Sequence, residues 1–291
     1  MQEGNAQEIR RPFIQNHGRI ADISEVNEFS QIPLIIGGKK VPKKLLKSMA
    51  RIVVEREDGF LSSCTGSVVS RNYVLCAAHC FVLPSKALVR RSYVLVGEPS
   101  TKIKYFESPQ NKYFVRNVWI HRKYKDNSLF KHDVALIQLQ KKIDKKLYKP
   151  MALGAAPDEG RSKLTAAGYG VKGSNKGEPK RARRASVLYQ EWDTCNEEAG
   201  YPIANSEKSE ICYTSLKFPN KGKTGTCFGD SGGPITKKEN GEYIQVGITS
   251  FFVGDLCESP GAIFVAQRVE NYLKQINRKV KKNQSKGWKR L

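Results

Sequence analysis

A chain of 291 residues that is 39% hydrophobic and 27% charged can bury a sizeable core and is not a disordered polymer. Its 50 Lys and Arg against 28 Asp and Glu leave a formal net charge of +22, which favours solubility and attraction to polyanions. No apolar run approaches the ~18 residues of a membrane span, and the basic residues are not interleaved with aromatics as in a nucleic-acid module.

In chain order, residues 1–34 are polar, aperiodic and free of cysteine, and read as a leader. Their start, MQEGNAQEIRRPFIQNHG, lacks the apolar centre of a signal peptide. From Arg51 on, short runs rich in Val, Ile, Tyr and Phe alternate with turn residues: RIVVE, GSVVS, YVLVG, YFVRNVWI, VALIQL and YIQVGITSF. That pattern predicts an all-β sandwich or barrel. Helical periodicity comes at the end, where Val269, Tyr272, Leu273, Ile276 and Val280 share one face and Lys274, Arg278, Lys279 and Lys281 the other. Basic clusters at Lys39–Lys47, Lys141–Lys149, Lys172–Arg184 and after Tyr272 are each an ordinary solvated face. Four of one sign point to a polyanion, whether of the glycosaminoglycan kind, an anionic surface or nucleic acid, the last being the weaker branch.

Seven cysteines stand at Cys64, Cys76, Cys80, Cys195, Cys212, Cys227 and Cys257, none in CxxC spacing. The Cys76–Cys80 stretch, with His79 inside it, looks like part of a metal cluster, but no second cluster completes four ligands. The better reading is an extracellular disulfide set with one cysteine left over, and neither metal nor cofactor is expected.

The stretch TCFGDSGGP, residues 226–234, crowds glycines around one serine. It is either a tight turn or a nucleophile held so that backbone N–H groups face a substrate. A nucleophile needs a base and an orienting acid. Of four histidines, His17 lies in the leader, while His79 ends an apolar strand beside Cys80. Asp133 opens the apolar strand DVALIQL. His132 is an alternative base, although adjacent residues on a strand point to opposite faces. The order His79, Asp133, Ser231 is that of chymotrypsin-type enzymes. With IIGG at Ile35–Gly38, AAHC at Ala77–Cys80, DVALIQL at Asp133–Leu139 and GDSGGP at Gly229–Pro234, the chain resembles the trypsin/chymotrypsin family of serine peptidases from Ile35 to about Ile276.

The resemblance implies two six-stranded antiparallel β-barrels with the catalytic site between them and a C-terminal amphipathic helix. It divides the chain into a leader or propeptide at 1–34, a peptidase domain at 35–278 and a basic tail at 279–291. Ser231 would be the nucleophile, His79 the general base and acid, and Asp133 the group that orients His79. The N–H groups of Gly229 and Ser231 would form the oxyanion hole. Implied disulfides are Cys64–Cys80, Cys195–Cys212 and Cys227–Cys257; Cys76, where the family usually has a small hydroxyl residue, is read as a buried small apolar group.

Gly225 would be the base of the specificity pocket, lined also by Thr226, Phe228, Ser250, Phe251, Phe252 and Gly261. Without a carboxylate at Gly225, a preference for Lys or Arg at P1 is not expected; Phe252 either narrows the pocket mouth and favours small or medium apolar P1 groups, as in elastase, or turns outward and leaves a chymotrypsin-like pocket. Cleavage before Ile35 would free an α-amine to pair with Asp230, yet Leu34 stands where the family usually has Arg or Lys. The expected protein is a secreted, monomeric endopeptidase acting on polypeptides; the alternative is a non-catalytic protease homologue that binds a polyanion or partner.

Overall fold

The computed structural model describes residues 38–56, 61–82, 89–97, 111–125, 130–157, 162–171, 180–200, 203, 208–216, 224–259 and 261–291. A two-residue strand β1 (Lys39–Lys40) and a single helical turn α1 (Lys43–Leu46) lead into β2 (Met49–Arg56), β3 (Leu61–Val68), β4 (Tyr73–Cys76), β5 (Val89–Val96), β6 (Lys112–His121) and β7 (Ala135–Leu139). These last six pair antiparallel in the order β6-β5-β2-β3-β4-β7, and β6 returns to β7 to close the barrel. The period of two in β2 explains why it can: Ala50, Ile52 and Val54 point into one core with Val74, Val94 and Val96, while Val53 packs outside with Tyr93 and Leu95.

The second half runs through β8 (Ala152–Leu153), β9 (Lys163–Gly168), β10 (Arg183–Tyr189), the helix α2 (Trp192–Ala199), β11 (Glu210–Ser215), β12 (Pro234–Glu239), β13 (Glu242–Val253) and β14 (Ile263–Arg268). Here the order is β10-β11-β14-β13-β12-β9, closed by β9 on β10. Strand β1 extends the sheet beside β10, and β8 pairs parallel with β13. Leu164, Val187, Tyr189, Ile211, Tyr213, Ile235, Val246 and Phe264 fill this barrel. The fold is thus the expected pair of closed six-stranded antiparallel barrels.

After β14 the chain crosses back. A 3-10 turn (Val269–Tyr272) leads into α3 (Leu273–Lys282), and Val269, Tyr272 and Ile276 are buried in the first barrel's core. Lys279 departs from its expected place on the solvated face. It is 1% exposed, its Nζ lies 3.3 Å from the centre of the Trp119 ring, and it donates to Ser285 Oγ at 2.9 Å. The aliphatic stem covers apolar surface, and the ammonium finds a π face and a hydroxyl. Residues 279–291, read from sequence as a basic tail, finish this helix and add a strand β15 (Trp288–Arg290) antiparallel to β6.

Disulfides join Cys64 to Cys80, Cys195 to Cys212 and Cys227 to Cys257, as the resemblance implied. Loops of this size contribute on the order of 3 kcal/mol each. Among the described residues no helix is long and apolar enough to cross a membrane.

Candidate active site

His79 sits on a 3-10 turn (Ala78–Cys80) directly after β4, and Asp133 directly before β7. Because β4 and β7 pair with Cys76 opposite Ala135, two residues 54 apart in sequence meet at the same barrel end. Asp133 is fully buried. One of its oxygens accepts the backbone N–H of His79 at 2.8 Å, and the other lies 2.6 Å from His79 Nδ1. That second oxygen also accepts the Ser250 hydroxyl at 2.5 Å. Sequence reasoning assigned Ser250 to substrate binding alone and missed this contact. A carboxylate held by three donors keeps the imidazole in one orientation and one tautomer, with Nδ1 protonated. The Phe130 ring meets the His79 ring edge-on at 5.6 Å and packs against Phe251 at 5.8 Å.

Ser231 comes from the second barrel, on the turn before β12. Its neighbours Gly229 (φ 91°) and Gly232 (φ 77°) occupy backbone conformations that side chains resist. At Gly229 a Cβ would also press to 3.0 Å from the Gly170 Cα. Successive carbonyls of this segment are all engaged: Phe228 by the Val171 N–H (2.7 Å), Asp230 by Gly233 (2.8 Å) and Ser231 by Thr65 (2.9 Å). The Gly229 carbonyl accepts the Thr65 hydroxyl at 2.8 Å. Among the described residues, by contrast, nothing accepts the N–H of Gly229 or of Ser231. Two adjacent, unspent donors beside a serine are what a developing oxyanion requires.

Asp230 points the other way, fully buried, with its oxygens accepting the N–H groups of Gly170 (2.8 Å) and Cys227 (3.0 Å). Burial pushes its carboxyl up to about 7, against the pull of those two backbone donors. Ile35, the expected partner, lies outside the described residues, as does the whole of 1–34.

Around the expected specificity pocket the structure gathers aromatics. A Cβ on Gly225 would lie 2.6 Å from Cζ of Phe264, a ring with no exposed surface. Phe264 stacks on Tyr213 at 5.4 Å, and the Tyr213 hydroxyl is bonded to Thr226 at 3.0 Å. Phe252 lies 6.3 Å from Phe264 and 5.7 Å from Phe228, so three phenylalanines form a row. Gly261 stands exposed on a turn with open space about it. It is Phe264, three residues on, that faces Gly225. Sequence reasoning missed Phe264; the signal for it was the strand-like run IFVAQR, which forms β14.

The other residues singled out in the sequence lie elsewhere. His132, the alternative base, has its Nδ1 3.1 Å from the Tyr272 hydroxyl and its ring 4.7 Å from that of His121. Both histidines open onto a pocket of about 460 Å³ rimmed by Arg122, Lys123 and Lys208. Burial, then the charge of His132, pulls the His121 imidazole down to about 4 despite a hydrogen bond with Gln275. Cys76 is the one free cysteine and is buried. Its thiol is pushed far up by burial, bonds weakly to the Thr65 carbonyl at 3.3 Å and lies 3.6 Å from the Cys80 sulfur.

A family model described as Trypsin matches residues 35–276. Serine protease snk of Drosophila melanogaster is 29% identical over 85% of this chain and 57% of its own length. Serine protease 56 of Homo sapiens is 30% identical over 81% of this chain and 37% of its own length. Chymotrypsin-like elastase family member 1 of Canis lupus familiaris is 24% identical over 86% and 93%. The chain thus spans little more than half of the fly relative and little more than a third of the human one. With the family model covering most of its length, this chain belongs to the trypsin/chymotrypsin family of serine peptidases.

Proposed function

We propose that the protein is a secreted serine endopeptidase that cleaves on the carboxyl side of small apolar residues. One observation carries the reading: an imidazole oriented by a buried carboxylate stands on the same barrel interface as a serine flanked by two unspent N–H donors. Ser231 Oγ attacks the scissile carbonyl while His79 Nε2 takes its proton. The resulting imidazolium is stabilised by Asp133, and the tetrahedral oxyanion by the N–H groups of Gly229 and Ser231. His79 then passes the proton to the leaving amine, and water repeats the sequence on the acyl-enzyme.

The preference for small side chains follows from Gly225 and Phe264. Gly225 offers no carboxylate to a basic P1 group, and the Phe264 ring occupies the space in front of it. Phe252 and Phe228 narrow what is left. Three disulfides fit an oxidising, extracellular compartment. Activation follows from Asp230: a buried carboxyl held near neutrality by burial alone becomes a stable anion when the freed α-amine of Ile35 reaches it.

The test is labelling by a serine-directed fluorophosphonate of the full chain and of a form beginning at Ile35, with Ser231→Ala as blank. Labelling of the Ile35 form alone supports both nucleophile and switch. Labelling of both retains the enzyme and discards the switch. A folded Ile35 form that does not react sinks the enzyme reading in favour of a non-catalytic binding protein.

A second property rests on a separate observation. No carboxylate lines the 460 Å³ pocket among the described residues, while two histidines, an arginine and two lysines do. Gln275 of α3 also lines it, and we assign this pocket to a polyanion of the sulfated-glycan kind. The protein is expected to bind a sulfated-polysaccharide resin and to elute with salt, Lys123→Ala/Lys208→Ala earlier than wild type, while hydrolysis of a neutral peptide is insensitive to that salt. Co-elution of the variant with wild type overturns the assignment.

A further inference from the structure

Thr65 stands on β3 of the first barrel, fully buried, yet its contacts are with the nucleophile segment of the second. Its N–H holds the Ser231 carbonyl at 2.9 Å, and its hydroxyl lies 2.8 Å from the Gly229 carbonyl. The same hydroxyl accepts the Tyr169 N–H at 3.0 Å. With Tyr169 occupying a lone pair, the hydroxyl proton is left for Gly229, so the direction of that bond is fixed.

A trans peptide is planar with its C=O and N–H on opposite sides, so holding a carbonyl aims the following N–H. The carbonyls of Phe228 and Asp230, held by Val171 and Gly233, therefore aim the N–H groups of Gly229 and Ser231. Those two planes are linked through the peptide between Gly229 and Asp230, whose carbonyl is the one that Thr65 Oγ1 holds. Gly229 has the freedom of a glycine at φ 91°, so its neighbouring planes can swivel unless both are anchored. Of the four carbonyl anchors from Phe228 to Ser231, three are backbone N–H groups that no substitution short of proline removes. The fourth is a side chain.

We propose that the Thr65 hydroxyl is a positioning group for the oxyanion hole: it fixes the 229–230 peptide and thereby keeps the Gly229 and Ser231 donors convergent. It touches neither substrate nor reacting atoms. The inference rests on the endopeptidase reading above, because it assigns those two donors their work. Loss of the hydroxyl leaves the donors in place but no longer held together, so its effect lies below the roughly 10²–10³-fold that follows removal of a donor outright.

The experiment compares Thr65→Val, which keeps the shape and loses the hydroxyl, with Thr65→Ser, which keeps the hydroxyl and loses a methyl. Both are made in the form beginning at Ile35 and assayed on a peptide with Ala at P1. Active sites are counted by fluorophosphonate titration, so that misfolded protein does not enter kcat. Thr65→Val is expected to lower kcat per active site about tenfold with KM within about twofold. A peptide boronate, which mimics the tetrahedral species, should lose affinity in parallel. Thr65→Ser should recover most of both. Unchanged kcat per active site in Thr65→Val, or a Thr65→Ser as impaired as Thr65→Val, overturns the proposal. A wild-type form that neither labels nor hydrolyses removes the endopeptidase reading and this inference with it; a wild type that labels while Thr65→Val matches it removes this inference alone.

Discussion

Asp133→Asn should lower kcat by roughly 10⁴-fold while leaving KM nearly unchanged. The carboxylate accepts the His79 backbone N–H on one oxygen and both His79 Nδ1–H and the Ser250 hydroxyl on the other. An asparagine has one oxygen for these three donors. If its amide nitrogen faces Nδ1, the imidazole must move its proton to Nε2, where it can no longer accept the Ser231 proton. If the nitrogen faces the other way, it opposes the His79 backbone N–H, and the turn carrying His79 loses its anchor. The first arrangement removes the base by its tautomer and the second displaces it from Ser231, while the fold stays intact. Steady-state kinetics with a thermal-unfolding control decides the matter, and a folded variant within tenfold of wild type would contradict the role given to Asp133.

Opening the pocket should change what is cut. In Phe264→Ala the space in front of Gly225 becomes available to a P1 side chain, and kcat/KM for Phe over Ala at P1 should rise by roughly 10²-fold or more, since even one methylene in an apolar pocket discriminates by about 10–200-fold. The same substitution deletes a fully buried ring stacked on Tyr213, at a cost of about 3–5 kcal/mol. Phe264→Leu, a smaller deletion, is the companion variant if the alanine form is too unstable at assay temperature. An unchanged P1 ratio in a folded Phe264→Ala would show that the ring does not stand where a P1 side chain goes.

The sequence revealed the first barrel better than the second for a physical reason. Strands β2, β5, β6 and β7 are built of β-branched and aromatic residues in short runs, and each was readable by itself. Strands β9 (KLTAAG) and β12 (PITKKE) are rich in Ala, Gly and Lys, residues that strands disfavour. They become strands through pairing with each other and through closure of the barrel, which local propensity does not report. Helix α2 escaped for want of length: eight residues around a disulfide carry too little periodicity to stand out.

At the candidate site, the three residues proposed as a triad were legible because each sits in a short motif with its own backbone demand, such as the glycines about Ser231. Ser250 and Phe264 show what was not legible. Ser250 reaches Asp133 across 117 residues, and Phe264 on β14 meets Gly225 in the irregular segment before Ser231. Both contacts are products of tertiary packing, with no local signature.

Trp288 and Ile276 bear on how the molecule is made. Both are buried in the core of the barrel formed by residues 49–139, together with Val269 and Tyr272. That barrel emerges from the ribosome early, but part of its apolar interior and the outer edge of β6 are covered only by residues that follow the second barrel in sequence. The first half of the chain therefore cannot settle as an independent unit ahead of the second, as successive domains usually do during synthesis. It waits with an open flank, exposed to chaperones or to other nascent chains, until the closing helix and strand arrive. Completion of the first barrel is therefore deferred until residues 269–290 are made, and a shift in reading frame after Arg268 would damage the barrel that was translated first.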